Sequence, residues 1–152
     1  MQDNFNQLHD LSDVNSRCLA FHLKKASRAI TQIYDQALTP CGLRSTQFNI
    51  LVTFFTLKSP TLTMMAQSLV MDRTTLTRNL KPIEKSGFIE PIQARDKRSK
   101  AYSLTELGKA TLQKSFPIWL DITNRLEEHL GEESLSLLIG NLKHTLKNIS
   151  DL

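Results

Sequence analysis

Met71-Asp72-Arg73-Thr74-Thr75-Leu76-Thr77-Arg78-Asn79-Leu80 decides the reading of this chain. Asp72 offers a carboxylate N-cap for a helix from Arg73 to Ser86, whose inward face is Leu76, Leu80 and Ile83. Gly87 suits the left-handed position after its end, and Pro82 is expected to kink the helix or loosen its last turn. The outward start carries Arg73, Thr74, Thr75, Thr77 and Arg78, with Lys81 a turn further on. Threonine is a mediocre helix former, and a merely solvated face favours Glu, Lys or Gln. A helix that enters a major groove needs short donors and acceptors near its N-terminus, and Arg to pair with guanine or phosphate. The positive helix N-terminus adds attraction for phosphate. This run meets those needs.

The flanks extend the pattern. Upstream, a short helix over about Met64 to Leu69 presents Met65 and Leu69 as a small apolar face. Downstream, the period changes: residues 88–92 and 101–104 read as two short strands. Their connection, Gln93 to Lys100, holds Arg95, Asp96, Lys97, Arg98 and Lys100 with almost nothing apolar, so it must reach into solvent or onto a partner. Residues 71–109 carry nine basic and five acidic side chains, which accounts for the whole excess behind the net charge of +4. A local basic field of this kind suits a polyanion.

Further out the chain is helical. Residues 16–38 repeat Leu19, Leu23, Ala26, Ile30, Ile33 and Ala37 at helical steps until Pro40 and Gly42. Ser45 is a fair N-cap for a helix to about Leu57, apolar at Phe48, Leu51, Val52 and Phe55. Thr105 caps a helix to about Leu130, with Pro117 as an expected kink and Gly131 as its stop. The last helix, Glu132 to Ile149, repeats Leu135, Leu138, Leu142 and Ile149 at nearly heptad spacing, too apolar a stripe for a solvated tail. The fold class is mainly α with a small β-hairpin.

Composition narrows the function. At 40% hydrophobic and 22% charged residues, the 152-residue chain is ordinary globular protein. No stretch is apolar enough to span a bilayer, and the N-terminus has neither the basic start nor the apolar core of a secretory signal. Two cysteines are too few for a secreted disulfide scaffold, so a cytoplasmic location without membrane association is expected. No P-loop, glycine-rich nucleotide loop or Ser-His-Asp arrangement is present, so neither catalysis nor a cofactor is expected.

Thr61–Leu69, the run Met71 to Leu80, the segment Asp96-Lys97-Arg98-Ser99 and Leu104-Thr105-Glu106-Leu107-Gly108 together resemble the MarR family of winged helix-turn-helix regulators. The likeness runs in register from about Ser16 to Leu130. It implies a single MarR-type domain over 1–152, with dimerisation helices at 16–38 and 110–152 around a winged-helix DNA-binding lobe at 39–109. It implies a homodimer whose helix from Arg73 enters the major groove while the hairpin, as a wing, meets the flanking minor groove. Two such modules address half-sites about one turn apart, roughly 34 Å, so a near-palindromic operator on double-stranded DNA is expected. In the wing, Arg98 is assigned the central role, either in the minor groove or bridging to a carboxylate. Asp96 is an orienting carboxylate, and Arg95, Lys97 and Lys100 are phosphate contacts. Asp72 is a plain cap or one that also pairs with Arg98. Family members usually carry Gly where this chain has Val70; a branched side chain resists φ > 0, which predicts another turn form or a shifted register.

The expected function is a dimeric, sequence-specific transcriptional regulator, a repressor released by a small ligand. The family often senses small aromatic acids, so an aromatic or phenolic ligand is expected in a crevice with Phe21, Tyr34, Phe48, Phe54 and Trp119 as candidate lining. Two alternatives stand: a redox-sensing regulator using Cys18, or an adaptor that has lost DNA reading. One family branch senses peroxides through a cysteine near the first helix, but aligning Tyr34 with its tyrosine puts Ala20, not Cys18, at the reactive position. Cys18 otherwise reads as a small hydrophobe at a dimer contact, and Cys41 as an oxidisable loop residue. Cys18 and His22 form an i,i+4 pair with no third ligand at supporting spacing, so no metal is expected.

Overall fold

In the computed structural model of the chain, residues 15–58, 60–93 and 100–149 are described. Among the described residues from Leu19 on, six α-helices and one antiparallel hairpin follow in the order α1 (Leu19–Leu38), α2 (Ser45–Leu57), α3 (Leu62–Ser68), α4 (Arg73–Lys85), β1 (Ile89–Gln93), β2 (Lys100–Leu104), α5 (Glu106–Leu130) and α6 (Glu132–Asn148). A 3₁₀ turn, Thr39–Cys41, joins α1 to α2. The hairpin pairs Ile89 with Leu104 through to Gln93 with Lys100, and Thr61 adds a single bridge to Ala101 on the far side of β2. Among the described residues β1 is therefore the free edge, which is where a proline such as Pro91, lacking an N–H, is tolerated.

The core gathers beneath α4. Leu76, Leu80 and Ile83 bury the inward face read from the sequence, against Met65, Ala66, Leu51, Phe54 and Ile89. α2 departs from its expected face: Phe48, Ile50, Leu51 and Phe54 are buried, whereas Val52 and Phe55 look outward, Phe55 at 66% exposure. A helix that is apolar nearly all round has no single stripe, so periodicity cannot choose between its sides. Ser45 is not the cap but the first helical residue, and its N–H is taken by Asp35 of α1.

Neither proline breaks its helix. α4 runs through Pro82, and its last turn is closed rather than loosened, by Ser86 N–H donating to the Pro82 carbonyl at 3.0 Å. The Arg78 carbonyl that loses a donor belongs to the exposed side of the helix, where Arg78 and Pro82 both face solvent. α5 likewise continues through Pro117 from Glu106 to Leu130.

α1 packs along α5, and α5 touches α2 and the base of the hairpin. α6 contacts α5 but buries no residue, and Leu138, Ile139, Leu146 and Ile149 of its stripe stay exposed. Among the described residues no helix is long and apolar enough to cross a membrane.

Candidate nucleic-acid interface

The turn that aims α4 begins at the end of α3. Met71 N–H donates to the Ala66 carbonyl at 2.9 Å and Val70 N–H to the Gln67 carbonyl at 3.2 Å, a Schellman closure with Val70 in the left-handed position at φ 50°. The left-handed turn is kept and the valine is forced into it, contrary to the turn change that a branched residue predicts. Gly42 and Gly87 close the same motif at φ 69° and 73° without that strain.

Asp72 is the N-cap of α4. Thr75 N–H donates to Asp72 Oδ1 at 2.8 Å, and the Thr75 hydroxyl donates to Oδ2 at 2.6 Å. Those two bonds, the hydroxyl's first, hold the Asp72 carboxyl below its ordinary value, so the charge stays at the positive end of the helix. The Thr75 hydroxyl is thereby engaged in the cap. Arg73 Nη2 donates to Thr63 Oγ1 at 3.1 Å and ties the start of α4 to α3, while the Thr77 hydroxyl back-bonds to the Arg73 carbonyl at 2.7 Å.

Thr74, Thr77, Arg78 and Lys81 fall within about 100° of arc, opposite Leu76, Leu80 and Ile83. All four are exposed. Thr74, Arg78 and Lys81 make no side-chain hydrogen bond or ion pair among the described residues. Lys85, not singled out in the sequence, extends the cationic edge of this face by one turn.

The hairpin stem is locked to the end of α4. Thr105, the N-cap of α5, accepts from Gly108 N–H at 3.0 Å and donates its hydroxyl to the Gly87 carbonyl at 2.6 Å. Thr105 N–H donates to the Phe88 carbonyl at 3.1 Å. At Gly108 a Cβ would press into the Phe88 carbonyl oxygen, closer than such atoms approach, so only glycine lets α5 start this near the strand. The sequence signal for it was a glycine in the first turn of a helix, where it costs stability unless packing demands it. Lys100 pairs with Gln93 through the backbone at the end of the stem. Arg95, Asp96, Lys97 and Arg98 lie outside the described residues. Tyr102 on β2 packs edge-on to Phe54, and burial, with Glu84 nearby, pushes its phenol above its ordinary value.

A cavity of about 690 Å³ opens between α2 and α5, walled by Phe48, Val52, Phe55, Leu112, Phe116 and Trp119, with Asn49, Glu106, Lys109 and Gln113 as polar lining. Trp119 lies nearly parallel to Phe48 and Phe116, ring centroids 6.2 and 5.7 Å away. Of the five candidate crevice residues, Phe48 and Trp119 line this space. Phe54 is in the core, Phe21 is exposed beside His22, and Tyr34 shares a 3.0 Å hydrogen bond with Thr123 of α5. The geometry separates them because α1 meets α5 through Tyr34, away from the α2 wall.

Cys18 and Cys41 are free and half-buried, the first at the N-cap of α1 and the second in the 3₁₀ turn. Among the described residues, no group of three or more His, Cys, Asp or Glu side chains is placed to hold a metal ion.

A family model described as MarR family matches residues 43–100. An uncharacterised helix-turn-helix-type transcriptional regulator of Bacillus subtilis (strain 168), YwoH, is 31% identical over 96 residues, which is 63% of this chain and 69% of the relative. Among solved structures, the M. tuberculosis transcriptional regulator MosR in complex with DNA superposes with a TM-score of 0.76 at 32% identity. That match covers 86% of this chain and 97% of the other. A mutant MarR from E. coli complexed with operator DNA gives 0.79 at 22% identity over 88% and 97% of the two chains, a likeness of fold.

Proposed function

This chain belongs to the MarR family of transcription regulators, proteins that act on DNA rather than enzymes, and we propose that it is a homodimeric repressor of a near-palindromic operator, released by a small ligand. One observation carries the reading: Thr74, Thr77, Arg78 and Lys81 stand exposed on a doubly anchored helix, directly beside the hairpin stem. Short polar groups there approach base edges, Arg78 forks to guanine or phosphate, and Lys81 and Lys85 follow the backbone. Thr75 and Arg73 hold the helix in place. Relatives of the same fold, MosR and E. coli MarR, have been crystallised with DNA.

Dimerisation is supported by the unburied stripes of α1 and α6, and the ligand by the aromatic cavity between α2 and α5. Its volume falls within the range of small-molecule sites, and Lys109 at its lining suits an acidic aromatic or phenol. Lys109 is paired at 2.6 Å with exposed Glu106, a weak surface bond that a ligand carboxylate can replace.

Fluorescence anisotropy on the duplex upstream of the coding region, at two salt concentrations and beside a scrambled duplex, tests the reading. Selective binding that weakens with salt is expected. Salt-insensitive failure to bind any duplex overturns it in favour of an adaptor. Small aromatic acids added to the bound complex should release it; release by peroxide but by no acid would replace the ligand with a cysteine switch.

A further inference from the structure

α2 lacks a cap of its own. Arg44 stands at its N-cap position with a side chain that can only donate, although its own N–H is taken by Gln47 Oε1 at 2.9 Å. Asp35 of α1 serves instead, reaching across the Thr39–Cys41 turn. Ser45 N–H donates to Asp35 Oδ1 at 2.7 Å, and Arg44 Nη1 lies 3.5 Å from Oδ2. The Thr39 hydroxyl donates to the Asp35 carbonyl at 2.8 Å and stiffens the same corner. Partial burial works against the Asp35 charge, but the Ser45 bonds and Arg44 outweigh it and hold the carboxyl below its ordinary value. The preceding residue, Tyr34, bonds Thr123 of α5. Two consecutive residues of α1 thus grip the two helices that wall the cavity, and α2 shares its core with α3 and α4.

We propose that Asp35 is the positioning residue that fixes the angle at which α1 carries the DNA-binding lobe, and so sets the spacing between the two recognition helices. The proposal rests on the regulator reading above. The bond is directional and charge-assisted, and it is the side-chain tie from α1 to the first turn of α2 across a corner whose backbone is closed at Gly42 and whose Leu38 and Leu43 are buried in the core. Without it the buried Leu38 and Leu43 still anchor the corner, but the start of α2 is no longer tied in direction to α1, and the angle between them samples a wider range. Asn keeps an acceptor for the Ser45 N–H, whereas Ala removes it.

The test compares wild type, Asp35→Ala and Asp35→Asn on duplexes whose half-sites are separated by one base pair fewer, the native number or one more. Asp35→Ala should bind the native spacing about tenfold more weakly, as the competent orientation falls to roughly a tenth of the population, and should discriminate little among the three. Asp35→Asn should restore the preference. A purely destabilising change lowers binding to all three duplexes by one factor; an unaltered spacing preference in Asp35→Ala overturns the proposal. A second measurement needs no DNA: spin labels at Lys24→Cys on α1 and Gln67→Cys on α3, in a Cys18→Ser, Cys41→Ser background diluted with unlabelled chain. The distance distribution should broaden in Asp35→Ala, and equal widths overturn the proposal whatever the DNA does. Wild type that selects no duplex overturns the regulator reading alone.

Discussion

Val70 holds a backbone conformation that its side chain opposes. A left-handed φ costs a non-glycine residue about 1–2 kcal/mol, and the 74% exposure of this valine leaves little packing to offset it. Val70→Gly removes the strain but adds freedom to the unfolded chain, roughly 0.5–1 kcal/mol against. The balance should be a gain of about 0.5–1 kcal/mol in urea unfolding of the free protein; a loss would mean that the valine side chain makes a stabilising contact in the folded protein that outweighs its strain. Gly108 is the opposite case. Gly108→Ala sets a methyl against the Phe88 carbonyl, and backbone cannot swing aside, so a loss of about 3 kcal/mol is expected from the same experiment. Asp72 ties stability to pH: its folded carboxyl sits below the ordinary 3.8, so its contribution is complete above that value and is lost as pH falls through the lower folded one. Wild type should therefore exceed Asp72→Asn in stability at neutral pH, with the gap closing in acid.

Elements were legible where their ends are decided locally. Asp72, Gly87 and Thr105 state the limits of α4, the hairpin and α5 in single residues, and each does in the structure what its chemistry suggested. α2 was legible as a helix but not in its face or its cap, because its outer side is apolar too and its cap arrives from Asp35, ten residues back. Of the candidate crevice residues, Phe48 and Trp119 line the cavity and Phe21, Tyr34 and Phe54 do not, for the same reason: which aromatics face it depends on how α2 lies over α5, and no local pattern encodes that. Within α4, the structure divides the run into side chains engaged within the protein, Arg73 and Thr75, and exposed ones, Thr74, Thr77 and Arg78, to which the proposed reading assigns the DNA contacts. Arg78→Ala should weaken operator binding tenfold or more and relax preference at one base pair. Lys81→Ala should weaken all duplexes alike and reduce the salt slope by about 0.9. Thr75→Val, by contrast, should lower thermal stability through the cap while leaving base preference intact; a changed preference would return Thr75 to the reading face.

At the scale of the molecule, burial is lopsided. The residues with no exposed surface concentrate in α2, α3, α4 and the hairpin base, while α6 has none and much of α1 faces solvent. The lobe that holds α4 has its own core, but α1 and α6 carry apolar stripes that no surface among the described residues covers. Leu138, Ile139, Leu142, Leu146 and Ile149 lie within about 100° of arc, the width a helix presents to a partner. A second copy would bury that stripe and at once join two recognition helices, converting binding at the second half-site into an intramolecular event. Linking two binding modules in this way is worth roughly 10²–10⁴ in affinity. Leu138→Asp with Leu146→Asp places two charges in the seam without touching the core beneath α4. The variant should sediment as a monomer, keep its helical circular dichroism and bind a single half-site as wild type does. On the full operator it should lose at least a hundredfold. A monomer that binds the full operator undiminished would show that each lobe acts alone, and the spacing of the two helices would then have no part in regulation.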